Sequence, residues 1–357
     1  VRKIVVVGGG IVGCLIARRL AEADPDVGIT VLDRDLVGSG ASRRSAGLFL
    51  ARGATPRTRQ MSADSHAYYA ALKASHPHLP MFPADAVVVT DGTTEPAAIG
   101  YLPDLAAPAE VTPGWAGSGP GPWQAWRIGN CHYADVYAVT QAIAELARPR
   151  VRFAEGVAVT GLAIGRAGVT VRCGTGETLA VDRVVLAPGP WLAAPAWRDL
   201  LSPLGLRIKK IVAMHIERRP DPGDVVTLFD CDDAFILPVR HRGHWLFSYA
   251  CTEWDVDPDQ LASGLSAANV EQARACLRRY SPALAEACAS GRVCADAYSP
   301  SREPVASAID GTEGRVVFAG AANGSGYRFG PAIAEQAASL VLNTEASEGV
   351  TDDHQYV

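Results

Sequence analysis

The sequence predicts an α/β protein in two parts, a parallel sheet flanked by helices and a second domain built on an antiparallel sheet. Three observations carry that reading. An apolar strand, Lys3–Val7, runs directly into the glycine turn Gly8-Gly9-Gly10-Ile11-Val12-Gly13. Apolar strands that stop at glycine-containing turns return near Val184 and Val316. Between those returns, from Leu206 to about Ala250, short β-like runs follow one another without the helices that strand–helix–strand units require. The first domain is therefore discontinuous, closed by a last strand and helix from the C-terminal end.

In the N-terminal turn, Gly8 permits the tight bend, Gly10 lets a pyrophosphate approach the backbone, and Gly13 lets the following helix pack closely on the strand. The helix start, at Ile11 and Val12, then offers unpaired N–H groups and a positive dipole end to an anion. A second strand, Ile29–Leu32, ends on Asp33, twenty residues beyond Gly13, where a carboxylate accepts hydrogen bonds from ribose hydroxyls; Arg34 stands beside it in the same site. Strand, turn, helix and acid together read as a Rossmann-like dinucleotide site. A chance glycine-rich turn is the alternative.

After Asp33, the segment Gly38–Gly47 is small, polar and basic, and reads as a loop lying against a ligand. The periodicity predicts a helix over 61–75 and a strand at Ala86–Thr90. From Thr93 to Pro122 the chain is rich in Pro, Gly and Ala, as expected of surface excursions that cover an active site. Residues 134–146 regain a helical period and lead into Val151–Phe153 and Val157–Thr160. A hairpin-like pair, Gly168–Arg172 with Thr178–Val181, precedes the apolar strand that ends in Ala187-Pro188-Gly189-Pro190-Trp191. In the antiparallel region, Ile208–Ile216, Ala234–Leu237 and Trp245–Tyr249 read as strands, and residues 261–280 as a helix. The chain closes with the strand Arg315–Gly320, a Gly-rich loop from Asn323 to Gly330, and a final helix over about 331–342. Pro331 would sit in that helix's first turn, where its missing N–H costs nothing.

Composition narrows the function classes. At 357 residues, with 48% hydrophobic and 20% charged, the chain has the make-up of a globular protein with a sizeable core. A net charge of −5 and scattered arginines give no case for nucleic acid as a partner. No apolar stretch approaches the ~20 residues of a membrane helix, and the first strand is too short and too early for a signal peptide. A cytoplasmic location, as a monomer or homo-oligomer, is the expectation. The eight cysteines lack C-x-x-C pairs and read as free thiols, with Cys14 a core residue. Neither His76/His78 nor His241/His244 has a third ligand nearby in sequence, so no metal is expected.

With these segments in hand, the chain resembles the flavin-dependent D-amino-acid oxidase superfamily, in particular its glycine oxidase and monomeric sarcosine oxidase branch. The likeness spans nearly the whole chain. It rests on Gly8-x-Gly10-x-x-Gly13 with Asp33, the loop Ser42-Arg43-Arg44-Ser45-x-Gly47, and the run Val184 to Trp191. It is completed by Arg302 in Ser301-Arg302-Glu303-Pro304 and by Gly324-Ser325-Gly326-Tyr327-Arg328-Phe329-Gly330-Pro331. The resemblance implies a glutathione-reductase-type flavoprotein fold. Its FAD-binding domain would comprise residues 1–75, 131–195 and 291–345, its substrate-binding domain 76–130 and 196–290, with a tail over 346–357.

The resemblance also implies FAD lying extended, with adenosine near Asp33 and Val157 and pyrophosphate on the first helix. Ala187, Gly189 and Trp191 would continue the site, and Gly320 with Gly324, Ser325, Gly326, Tyr327 and Arg328 would approach the flavin ring. Glycines there permit backbone approach, and N–H donors stabilise the charge of the reduced ring. The loop residues Ser42, Arg43, Arg44, Ser45 and Gly47 would pass near the ring; solvated loop arginines are the alternative.

For the substrate, the resemblance makes Arg302 a carboxylate clamp, with Arg328 assisting, since a guanidinium binds a carboxylate through two parallel charge-assisted bonds. A surface pairing of Arg302 with Glu303 is the other reading. Tyr249, Tyr298 and Tyr327 are candidates to add a hydrogen bond, or else packed aromatics with a wet hydroxyl. The implied chemistry is hydride transfer from the amine-bearing carbon of a small amino acid or amine-bearing acid to flavin N5, giving an imine. Two departures stand out. The family's cysteine tether falls near Ala297 and Tyr298, with Cys294 out of register, so noncovalent FAD is expected. The lysine that activates oxygen is matched by Phe247, which leaves oxygen or another acceptor open. A 2-hydroxy-acid substrate, or a flavin-binding subunit without turnover, are the rival functions.

Overall fold

The computed structural model describes residues 1–91, 100–102, 109–111 and 123–343. Most of the Pro- and Gly-rich excursion expected to cover the active site, and the tail from 346, lie outside these residues.

Among the described residues, a six-stranded sheet runs in the order Val305–Ala308, Val316–Gly320, Arg183–Leu186, Lys3–Val7, Gly28–Leu32, Val151–Ala154. All neighbours are parallel except the first pair. Strands drawn from both ends and the middle of the chain thus meet side by side: the glycine-ended strand 183–186 lies next to the first, and 316–320 lies next to 183–186. Their residues are buried on both faces, which is why they read as unbroken apolar runs rather than alternating ones. The helix Ile11–Ala23 packs on this sheet beside the helices Val136–Ala147 and Gly326–Asn343, sharing one core with Ile4, Val6 and Ile333. Cys14 is fully buried in that core, where loss of water pushes its thiol far above the usual range.

The second sheet has nine strands among the described residues, ordered Cys288–Tyr298, Arg207–Ile216, His244–Tyr249, Ala234–Val239, Val226–Phe229, Met81–Thr90, Gln124–Ala134 and Leu48–Phe49, with Ala109–Val111 also on Gln124–Ala134. It is antiparallel apart from the pair Val226–Phe229 and Met81–Thr90. Cys288–Tyr298, unforeseen in the sequence, joins this sheet, so the domain boundary expected at residue 291 falls inside a strand. A small antiparallel sheet, Val159–Gly165, Gly168–Cys173 and Thr178–Val181, contains the foreseen hairpin. No helix of the described residues is long and apolar enough to cross a membrane.

Three helices differ from expectation for physical reasons. That expected over 261–280 runs Ala267–Arg278, started by Ser266, which accepts the Asn269 N–H. The helix expected from Met61 begins at Pro56, where Thr55 accepts the Thr58 N–H in a capping box. The last helix begins at Gly326, not Pro331, because the glycine-rich segment already forms its first turns. Pro331 therefore sits inside the helix, where it removes the N–H that would bond the Tyr327 carbonyl. That carbonyl is satisfied instead by the Tyr69 hydroxyl at 2.7 Å.

Candidate active site

A cavity of about 670 Å³ extends between the two large sheets, lined at one end by Asp33, Arg34 and Val157 and at the other by Gly324 to Phe329, Arg52 and Asp296. The first helix begins on its wall. Gly10 caps that helix without any side-chain hydrogen bond, and the first turn carries no acidic residue, so its positive end faces the cavity. The glycines are required sterically. A Cβ on Gly13 would lie 1.9 Å from the Gly8 carbonyl oxygen, and one on Gly8, whose φ is +104°, would lie 2.3 Å from the Ala187 oxygen. At Gly189 and Gly326, by contrast, a Cβ would meet nothing within 4 Å and would project into open space. Both glycines line the cavity, as does Gly10.

The end of the cavity at Asp33 is fixed by local bonds. Asp33 accepts the Gly9 N–H at 2.7 Å and the Asp35 N–H at 2.8 Å, while burial raises its carboxyl and those two amides oppose the rise. Arg34 pairs with Asp259 and lies 4.5 Å over the Trp191 ring, and the Trp191 indole N–H donates to the same carboxylate at 2.8 Å. The Val157 N–H donates to the Asp33 carbonyl at 2.8 Å, so this residue tracks the end of the second strand. Ser42 accepts the Ile11 N–H at 3.0 Å and ties the 41–44 turn to the helix start. Ser45, Gly47 and Arg44 line the cavity, but Arg43 does not: it is exposed and lies over the Tyr137 ring, so its expected place near a flavin is corrected.

At the far end stands Arg328, partly covered, with its Nε buried. One nitrogen donates to Ser325 Oγ at 2.7 Å, its Nε has no partner, and no carboxylate pairs with it among the described residues. Burial and the nearby charge of Arg52 push its guanidinium down, yet it stays a cation near neutral pH. Arg52 lies 5.4 Å over the Tyr101 ring and pairs with Asp230 at 3.2 Å. Sequence reasoning missed it, because it sits in an irregular segment without a motif. Arg302 reaches the cavity only at its rim. It is exposed, in the left-handed region at φ +59°, and Glu303 pairs with Arg57 rather than with it.

The three tyrosines divide. Tyr249 donates its hydroxyl to the Asn269 carbonyl at 3.1 Å, and Tyr327 shares a hydrogen with His132 Nε2 at 3.0 Å. Burial pushes His132 down to about 4, so it meets the phenol as a neutral ring. Both residues border the cavity, with their hydroxyls bonded to protein partners. Tyr298 keeps its phenol at the cavity, 3.1 Å from where a Cβ on Gly324 would stand. Phe247 is buried in the core of the second sheet and away from the cavity; Lys209 brings an ammonium there instead, over the Trp254 and Tyr298 rings. Cys294 also lines the cavity.

The chain matches the family model described as FAD dependent oxidoreductase (DAO) over residues 3–340. A search of the curated proteins finds no match. Similar solved structures include L-proline dehydrogenase from P. horikoshii, 18% identical over 96% of this chain and 93% of that one with a TM-score of 0.77. Glycine oxidase from Geobacillus kaustophilus is 17% identical over 96% and 95%, with a TM-score of 0.74. NikD, an unusual amino acid oxidase essential for nikkomycin biosynthesis, is 18% identical over 99% and 96%, with a TM-score of 0.71. At these identities the likeness is one of fold.

Proposed function

The chain belongs to the DAO family of FAD-dependent oxidoreductases, and on that premise we propose that it oxidises the C–N bond of a small amino acid or amine-bearing acid to an imine. The observation that carries the substrate class is Arg328. A guanidinium whose buried Nε lacks a partner is unfavourable until an anion completes it. A substrate carboxylate does so, with Arg52 as the second cation. Arg302, at the rim, meets the substrate on its way in.

FAD fits the residues present: the Gly8–Gly13 turn for the pyrophosphate, Asp33 for the ribose, and the open faces at Gly189 and Gly326 along its length. When bound, it supplies the hydride acceptor at its N5 position. The protein's part is to anchor the carboxylate, hold the reacting C–H in place and exclude other nucleophiles. The electrons then pass to oxygen or another acceptor, which oxygen uptake distinguishes. The eight free thiols suit a reducing compartment such as the cytoplasm.

We keep the cofactor noncovalent. Burial and the Asp296 charge push the Cys294 thiol up to about 12, and the thiolate is the form that attacks. Acid precipitation of the purified protein is expected to release FAD into the supernatant. Yellow colour retained in the pellet, and lost in Cys294→Ser, contradicts this. Product analysis tests the reaction: one ammonia or primary amine per 2-oxo acid is expected, whereas turnover of a 2-hydroxy acid without nitrogen release supports the rival reading.

A further inference from the structure

The cavity holds a second buried charge that the reading above leaves without a task. Asp296 lies on the strand Cys288–Tyr298, whose side chains alternate. Cys294, Asp296 and Tyr298 line the cavity as partly covered positions, while Val293, Ala295 and Ala297 between them are buried, the two alanines also bordering the cavity. The Asp296 carboxylate accepts the Ala297 N–H at 2.9 Å and the Gly324 N–H. Gly324 begins the turn that carries Ser325, and Ser325 in turn holds Arg328 at 2.7 Å. Asn323 pins the same turn, accepting the Ser299 N–H at 2.9 Å, and its own N–H donates to the Ala297 carbonyl at 3.2 Å. One short turn is therefore bonded to both a cation and a carboxylate that line the same cavity.

We propose that Asp296 receives the substrate's ammonium group and takes its proton, opposite the carboxylate anchor at Arg328. This deepens the amino-acid reading and rests on it. An amino acid reaches the protein mostly as the ammonium form, which has no lone pair to assist loss of hydride from its carbon. In the proposed step one N–H bond of the ammonium breaks and one O–H bond forms on Asp296. No electrons are exchanged, and the neutral amine remains bound. Asp296 returns the proton to solvent before the next turnover.

The surroundings suit a proton acceptor. Lys209 stands across from Asp296 in the strand register, but its ammonium lies over the Trp254 and Tyr298 rings. Cys294 and Tyr298 flank Asp296 on its own strand, with Arg44 and Arg292 near the thiol and Asp233 near the phenol. Arg328 and Arg302 are the charged groups of the facing loops. None of these cations dominates: burial raises the Asp296 carboxyl to about 6, opposed only by the Ala297 and Gly324 amides. The group is thus a carboxylate at neutral pH and a better base than an exposed one.

The test follows anaerobic reduction of the holoenzyme's flavin by a panel of L- and D-amino acids, sarcosine and iminodiacetate. Acetate binding, read from the flavin spectrum, is the second readout. For whichever acid reduces the wild type, kcat/KM is expected to fall below a midpoint near pH 6. Asp296→Asn is expected to lose about 100-fold at pH 7, to lack that acid limb, and to recover as pH rises toward the amine's own pKa. Asp296→Glu keeps the limb. Acetate binding is not weakened in Asp296→Asn, because the carboxylate anchor is intact. An unchanged rate and an unchanged acid limb in Asp296→Asn overturn the proposal. So does a wild-type profile flat across roughly pH 5 to 7, which needs no variant to fold. If no panel member reduces the flavin, the amino-acid reading itself fails, and this proposal with it.

Discussion

Arg328→Ala is expected to lower kcat/KM for the amino-acid substrate by about 100- to 1,000-fold, or ~3–4 kcal/mol, while FAD remains bound. The magnitude follows from what the side chain lacks. Arg328 is partly covered, has one hydrogen bond to Ser325 and leaves its buried Nε unpartnered. Asp233 lends it some negative potential and the Phe329 ring lies 4.6 Å below it, but no carboxylate among the described residues bonds it directly, so a substrate carboxylate gains a charge-assisted contact. The Gly8–Gly13 turn lies at a different part of the cavity wall, so cofactor binding is spared. Steady-state kinetics with flavin content measured alongside checks both parts. Arg302→Ala serves as the comparison: as an exposed rim residue it is expected to change kcat/KM by no more than about threefold. If the two variants exchange these behaviours, the anchor is Arg302 and the site is assigned the wrong way round.

The second large effect concerns the fold of the cofactor site itself. Gly13→Ala places a Cβ 1.9 Å from the Gly8 carbonyl oxygen, a backbone atom that has no freedom to withdraw. Either the helix Ile11–Ala23 moves off the first strand or the turn opens, and both ruin the core shared with the last helix. A loss of about 3 kcal/mol or more is expected, with FAD content falling in parallel. Thermal unfolding and the flavin-to-protein absorbance ratio measure it. Gly223→Ala is the control, since a Cβ there meets nothing within 4 Å. It is expected to stay within about 0.5 kcal/mol of the wild type.

What was legible in the sequence was what neighbouring residues dictate to one another. The strand, turn and helix of Lys3 to Gly13 and the acid at Asp33 are local, so their geometry follows from steric rules alone. The returning strands at Val184 and Val316 were visible because a strand buried on both faces reads as a continuous apolar run. Side-chain direction at the substrate end was not legible. Tyr249 and Tyr327 sit in the expected segments, but a helix carbonyl at Asn269 and the neutral ring of His132 claim their hydroxyls, and both partners are remote in sequence. The strand Cys288–Tyr298 escaped notice because its cavity face is polar and its core face is made of small residues. Asp296 escaped with it. Arg52 and Lys209 were likewise hidden, one in an irregular segment and the other in an ordinary strand, and only the cavity unites them with Arg328.

The central claim is that this cavity oxidises an acid bearing an amine. Its most direct test is to mix the FAD-loaded protein anaerobically with the amino-acid panel and record the flavin absorbance. The account expects at least one amine-bearing acid to bleach the flavin within the time of an ordinary turnover, and the Arg328→Ala variant to bleach far more slowly with the same acid. Persistent colour with every amine-bearing acid, or bleaching by 2-hydroxy acids alone, would contradict it.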